Sequence, residues 1–368
     1  MEKNSKIYIV GHRGSAGSAI MEKLQKLGYN NLIYATREEL NLLDFSAVKN
    51  FFDNNQPEYV FFAAAKMSAL GVKAPADILY ENLTIQNNIF FNSYSSNVKK
   101  LIFFGSSWMY PQRADNPIKE ESLLTSELEY NAEPYALAKI AGVRMCEFYN
   151  LQYNTNFISV ALTNLYGKTA DYNLKTARVL PAMLRKFHLA KLLNEKRYDE
   201  ILLDLNLQDQ DEAISYLNTN GIYEEHIELW GAGKTRREFI HSDDLADVCI
   251  YIMNNINFSD LSKNNIKNTH INVGTGSDLS IAELAYLIKQ ITQYQGGIKF
   301  DISKPDSSMN RLLDCSKIYS LGWKHKIELK DGIKMMYEWY LNNYWGGGYS
   351  KKINYNYLPC DRMFKEVA

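Results

Sequence analysis

IYIVGHRGSAG, residues 7–17, runs from a short apolar segment straight into three glycines. The residues that follow, SAIMEKLQKLG, carry apolar side chains at helical spacing. Gly11, Gly14 and Gly17 therefore stand between a strand and a helix, spaced GxxGxxG. In that context each glycine has a task. The first makes the tight turn, the second lets the backbone approach a pyrophosphate, and the third lets helix and strand pack closely. Ser15 and Ala16 keep the start of the helix small, and its N-terminus faces the anion.

The alternation continues outward from this loop. NLIYAT, EYVFFAAA, KKLIFFGSS and NFISVALTNLYG read as strands. FSAVKNFFDNN, ILYENLTIQNNIFFNSYSSN and YALAKIAGVRMCEFYNLQY read as helices between them. Strands alternating with helices predict a Rossmann-type α/β fold, a doubly wound parallel sheet. After Lys168 the rhythm breaks into a mostly helical, acidic stretch. We expect a cofactor domain over 1–168, with 227–255 returning to it. A smaller C-terminal α/β substrate lobe is expected over 169–345, and a peripheral extension over 346–368. The acidic segment 189–225 reads as a lid, an oligomer contact or a plain surface helix pair.

Composition narrows the function. The chain has 368 residues, 46% hydrophobic, with a formal net charge of −1. Nothing there points to nucleic acid or an anionic membrane. No apolar run approaches the ~20 residues of a spanning helix. The four cysteines show neither metal-ligand spacing nor a disulfide framework, so a cytoplasmic enzyme that holds no metal is expected.

At the end of the second strand an NAD enzyme places a carboxylate on the ribose, about 20 residues past the glycines. This chain has Thr36 and Arg37 there, and Arg13 inside the loop. Two guanidiniums suit a ribose 2′-phosphate, so NADPH/NADP+ is the expected cofactor. Asp44 reads either as a contact to the adenine edge or as a helix N-cap. Further on, PYALAK sets Tyr135 four residues before Lys139, on one helix face. A tyrosine with pKa near ~10 needs a neighbouring cation to act as an acid at neutral pH. Ser106, in GSSWMYP, completes a hydroxyl, phenol and ammonium set for carbonyl reduction.

Together these motifs resemble an extended short-chain dehydrogenase/reductase of the GDP-L-fucose synthase family. The likeness runs through GHRGSAGSAI, TREELNLLD, AAAKMS, LIFFGSS, EPYALAKIAG, TNLYG, WGAG, REFIHSDDLAD, NVGTG and KPDSSMNRLLD. The resemblance implies reduction of a GDP-4-keto sugar at carbon 4 with NADPH, Ser106, Tyr135 and Lys139 being the catalytic triad. It extends the cofactor contacts to Leu43, Ala63, Ala64, Ala65, Asn164 and Leu165. It implies that Ser107 meets the sugar and that Lys186, Trp230, Arg237 and Lys304 hold the GDP. By itself, Arg237 reads as a diphosphate clamp or as a surface ion pair. A homodimer through the two long helices is implied as well.

The chain departs from that family at two positions. The family epimerises carbons 3 and 5 with a cysteine two residues after the serine and a histidine before a V-x-P segment. Trp108 and Arg178 stand there. An indole and a guanidinium cannot shuttle protons near pH 7. The expectation is a reductase without epimerase activity, similar to the reductase-only members of bacterial GDP-heptose pathways that make capsule precursors. A dehydrogenase or dehydratase and a separate epimerase would act upstream. Trp108 and Met109 are expected to reshape the pocket for a bulkier sugar. The alternatives are the bifunctional epimerase–reductase, an epimerase or dehydratase that recycles its cofactor, and a non-catalytic NADPH-binding regulator.

Overall fold

The computed structural model describes residues 1–66, 74–263, 265–304 and 310–343. The expected extension at 346–368 lies outside the described residues, as do Met67, Ser68 and residues 305–309 of the quoted motifs.

The chain divides into two compact units. Of the described residues, the first comprises 1–66, 74–165, 238–263, 265–277 and 311–326. Its sheet begins with β1 (Ile7–Val10), β2 (Leu32–Ile33), β3 (Tyr59–Phe62), β4 (Lys100–Phe104) and β5 (Phe157–Leu162). The order is β2-β1-β3-β4-β5, with Ile271–Val273 added beside β5, and every pair is parallel. β1 and β4 are buried along their whole length. This is why they read as unbroken apolar runs rather than alternating ones. The order reverses between β1 and β3, and a ligand crevice opens at such a switch point, beyond the carboxyl ends of the strands.

Helices α1 (Ser15–Lys26), α2 (Phe45–Asn55), α3 (Pro75–Ser95) and α4 (Glu133–Tyr153) connect the strands. Right-handed crossovers put α1 on one face of the sheet and the other three on the opposite face. Accordingly α1 packs on the helix Ser242–Asn255, whereas α3 packs on both α2 and α4. Buried Lys100 closes the end of Ser242–Asn255, donating to the carbonyls of Ile252 and Met253 at 2.8 and 2.9 Å.

Of the described residues, the second unit comprises 166–237, 278–304, 310 and 327–343. Strand His226–Trp230 was expected in the first domain, but it pairs in parallel with Gly297–Asp301 of the second unit. The acidic segment forms two helices, Tyr198–Leu205 and Gln210–Thr219. Their apolar sides are small, so a buried ion pair supplies the anchor. Asp204 takes two bonds from the Arg185 guanidinium, at 2.8 and 2.9 Å, and one from the Tyr340 hydroxyl. The segment thus forms a helix pair tied into its own unit. His188 is buried against Tyr337 and Tyr340, and burial pushes its pKa down to about 3. It is a structural residue.

Candidate active site

The glycine loop is built by close approach. Gly11 has φ +87°, and a Cβ there would stand 2.8 Å from the Ala64 nitrogen. A Cβ on Gly17 would fall 2.2 Å from the Gly11 carbonyl oxygen. Only glycine lets α1 start this close to the β1 turn and the β1 turn lie against the end of β3. Ala63, Ala64 and Ala65 then continue β3 without bulk. Gly14 is the N-cap of α1 and brings no capping side chain, and the first turn holds no acidic residue. The N–H groups of such a helix start suit a phosphate.

Around this loop lie the expected cations. Arg13 is half-buried, and its Nε is enclosed without a partner among the described residues. Its Nη1 lies 3.7 Å from Glu38, an exposed pair that adds little stability. Arg37 is exposed on a turn held by Thr36 and Glu39, which exchange hydrogen bonds of 2.7 and 3.3 Å. Asp44 caps α2, accepting from the Ala47 N–H at 3.0 Å. Leu43 is half-buried just before it. His12 was not anticipated. It is buried, packs on Tyr34 with ring centroids 4.8 Å apart, and keeps an enclosed Nδ1 without a partner among the described residues. Burial and then Arg13 lower its pKa. An enclosed, unpaired nitrogen in a loop shaped by close approach fits a bound dinucleotide, the cofactor class expected here.

The residues expected to carry out the reduction lie in the same unit. Ser106 follows β4 and caps the 3-10 turn Ser107–Met109, its Oγ accepting from the Trp108 N–H at 3.3 Å. That turn packs on α4, which carries Tyr135 and Lys139. Gly142 is what lets α4 come so close. A Cβ there would meet the Phe103 ring at 2.3 Å. Lys139 therefore reaches inward, donating to the Phe104 carbonyl at 2.7 Å. Its ammonium lies 4.8 Å from the Phe103 ring centroid and 5.5 Å from that of Tyr135. Burial pulls its pKa down to about 7. Asn164 follows β5, its Nδ2 donating to the Glu238 carbonyl at 2.9 Å, and Leu165 beside it is half-buried.

Trp108 is half-buried beneath a guanidinium, with Arg311 4.6 Å from its ring centroid. Ser107 is buried, and its carbonyl accepts from Arg311 Nη1 at 2.9 Å. Met109, expected to shape the pocket, is fully buried in the core and offers no surface to a sugar. Cys146, Cys249 and Cys315 are buried, and burial raises each thiol pKa.

The remaining predicted residues belong to the second unit. Arg178 is the exposed N-cap of helix Val179–Asn194. Lys186, on that helix, donates to the Glu228 carbonyl, and burial pulls its pKa down to about 8. Trp230 ends the same strand and is 74% exposed, with the Lys304 ammonium 5.7 Å from its ring centroid. Lys186, Trp230 and Lys304 therefore gather around one strand. Arg237 is the second residue of the next strand, Arg236–His241, and is buried, donating to the Arg236 carbonyl at 2.7 Å.

Residues 7–274 match the model of the NAD dependent epimerase/dehydratase family. The chain belongs to that family. Among its members, GDP-L-fucose synthase 1 of Arabidopsis thaliana is 40% identical, over 93% of this chain and 95% of its own. A crystal structure of a GDP-6-OMe-4-keto-L-xylo-heptose reductase from C. jejuni is 57% identical, with a TM-score of 0.89. It matches 93% of this chain and 99% of its own. A GDP-mannoheptose C4 reductase from Campylobacter jejuni with NADP bound is 56% identical, with a TM-score of 0.86 and the same coverage.

As a member of the epimerase/dehydratase family the chain keeps the glycine loop and the YxxxK helix. Sequence reading missed Arg311, which lies 204 residues from the carbonyl it binds. No local spacing could have placed it there.

Proposed function

We propose that this protein reduces the 4-keto group of a GDP-linked 4-keto sugar with NADPH and leaves carbons 3 and 5 untouched. The sugar is a heptose, 6-deoxy or not. The glycine loop and α1 hold the pyrophosphate, and Arg13 and Arg37 hold the 2′-phosphate. Bound there, NADPH supplies a hydride to carbon 4. Ser106 holds the ketone oxygen, and Tyr135 gives it a proton as the alcohol forms. Lys139 holds the nicotinamide ribose and, when charged, eases the loss of the Tyr135 proton. Lys186, Trp230, Arg237 and Lys304 take the GDP. The enzyme acts in the cytoplasm on a precursor of surface polysaccharide, downstream of an oxidising or dehydrating enzyme and a separate epimerase.

The observation that carries the restriction to reduction is the stack of Trp108 under Arg311 beside the Ser106 turn. An indole fills the place two residues after the serine, and it exchanges no protons near pH 7.

The test compares NADPH consumption by the wild type and by Tyr135→Phe with GDP-4-keto sugars. The variant should lose roughly 10²–10⁴-fold in turnover while binding NADPH normally. Near-normal turnover by Tyr135→Phe would remove the tyrosine from its role.

A further inference from the structure

Arg311 makes contacts that nothing in the reaction scheme requires. It is 3% exposed. Its Nη1 donates to the Ser107 carbonyl at 2.9 Å and lies 3.4 Å from the Tyr110 carbonyl. Its plane covers the Trp108 ring at 4.6 Å. Every residue from Ser107 to Tyr110 except buried Met109 therefore touches this one guanidinium.

The other end of the guanidinium reaches a different element. Arg311 Nη2 pairs with Glu129 Oε2 at 3.4 Å. Glu129 is the N-cap of the 3-10 turn Tyr130–Ala132, which leads straight into α4 at Glu133, two residues before Tyr135. The far side of the serine turn is secured independently. Buried Tyr110 donates to Asn272 Oδ1 at 2.5 Å, and its hydroxyl lies 2.9 Å from His270 Nε2. Asn272 in turn donates to the Ile118 and Asp314 carbonyls at 2.9 and 3.1 Å. Tyr110 pins one end of the turn to the sheet, and Arg311 sets the other against the entry to the tyrosine helix.

We propose that Arg311, with Glu129, is a positioning residue that holds the Ser106 turn in register with the helix carrying Tyr135, and that it acts through Ser106. The proposal rests on the reductase reading. Ser106 Oγ is oriented by the Trp108 N–H, and that N–H belongs to the same peptide group as the Ser107 carbonyl that Arg311 binds. A planar fork can bind two carbonyls, a carboxylate and an indole face at once, which an ammonium cannot. Small displacements of a group that holds the reacting oxygen lower the rate steeply.

The experiment measures kcat, KM and NADPH affinity for the wild type, Arg311→Gln, Arg311→Lys, Glu129→Gln, Ser106→Ala and the Ser106→Ala/Arg311→Gln double variant, with a GDP-4-keto sugar. Arg311→Gln and Arg311→Lys should lower kcat roughly 10–100-fold with NADPH affinity unchanged. Glu129→Gln, which keeps its shape, should lower kcat in the same direction and supplies the answer if Arg311 variants fail to fold. Adding Arg311→Gln to Ser106→Ala should cause no further loss. Normal kcat in Arg311→Gln, or in Glu129→Gln when that variant must decide, overturns the proposal. So does an undiminished arginine effect on the Ser106→Ala background. A wild type that reduces none of these ketones overturns the reductase reading, and the proposal with it.

Discussion

Lys139 shows how a single residue links fold to chemistry. Its ammonium is fully enclosed, bonded to the Phe104 carbonyl and faced by two aromatic rings, with its pKa pulled down to about 7. In the unfolded chain a lysine titrates near ~10.4. Between these values the unfolded state binds the extra proton, so Lys139 makes stability rise as pH increases through this window. The strain is largest at and below pH 7 and is gone above the unfolded value. Lys139→Met should therefore raise the melting temperature of the cofactor-free protein more at pH 7 than at pH 9.5. An equal shift at both pH values would contradict the burial of a strained charge. Arg37 acts at the same scale. A charge-assisted hydrogen bond is worth about 1.5–3 kcal/mol, so Arg37→Ala should weaken NADPH binding roughly 10–100-fold and NADH binding little. Titration of both cofactors decides it, and an equal loss for both removes Arg37 from the phosphate. These residues were readable because loop, strand end and YxxxK are local patterns. Arg311 and the Tyr110–Asn272 contact were not, because they join distant parts of the chain.

At the scale of elements, α3 and α4 pack side by side and leave apolar side chains outside. Tyr80 and Phe91 of α3 are 68% and 43% exposed, and Phe148 and Leu151 of α4 are 58% and 51% exposed. Positions eleven apart share a helix face, so Tyr80 and Phe91 form one stripe, and Leu137 and Phe148 another. We propose that two copies of the chain meet on these stripes. Phe148→Glu should convert a dimer into a monomer in sedimentation or light scattering, and a wild type that is monomeric throughout would contradict the proposal. The sequence marked both helices by their period. It did not mark the exposure of Phe148, because an outward phenylalanine and a core one look alike until packing assigns the faces. Strand NLIYAT shrank to Leu32–Ile33 for a related reason: its later residues enter the turn that presents Arg37.

For the whole molecule, the parallel sheet was legible from the alternation alone. The threading was not. His226–Trp230 has the pattern of any strand, and its partner Gly297–Asp301 lies about seventy residues on, so nothing local assigns it to the second unit. Reduction at carbon 4 with no proton exchange at carbons 3 and 5 is the reaction we propose. The direct measurement is NMR of the product formed from NADPH and a GDP-4-keto heptose in heavy water. We predict one NADPH oxidised per alcohol formed, and no enzyme-dependent deuterium at carbon 3 or 5. Deuterium at either carbon would show that other groups do the proton transfers that Trp108 and Arg178 cannot, and that the protein is a bifunctional epimerase–reductase.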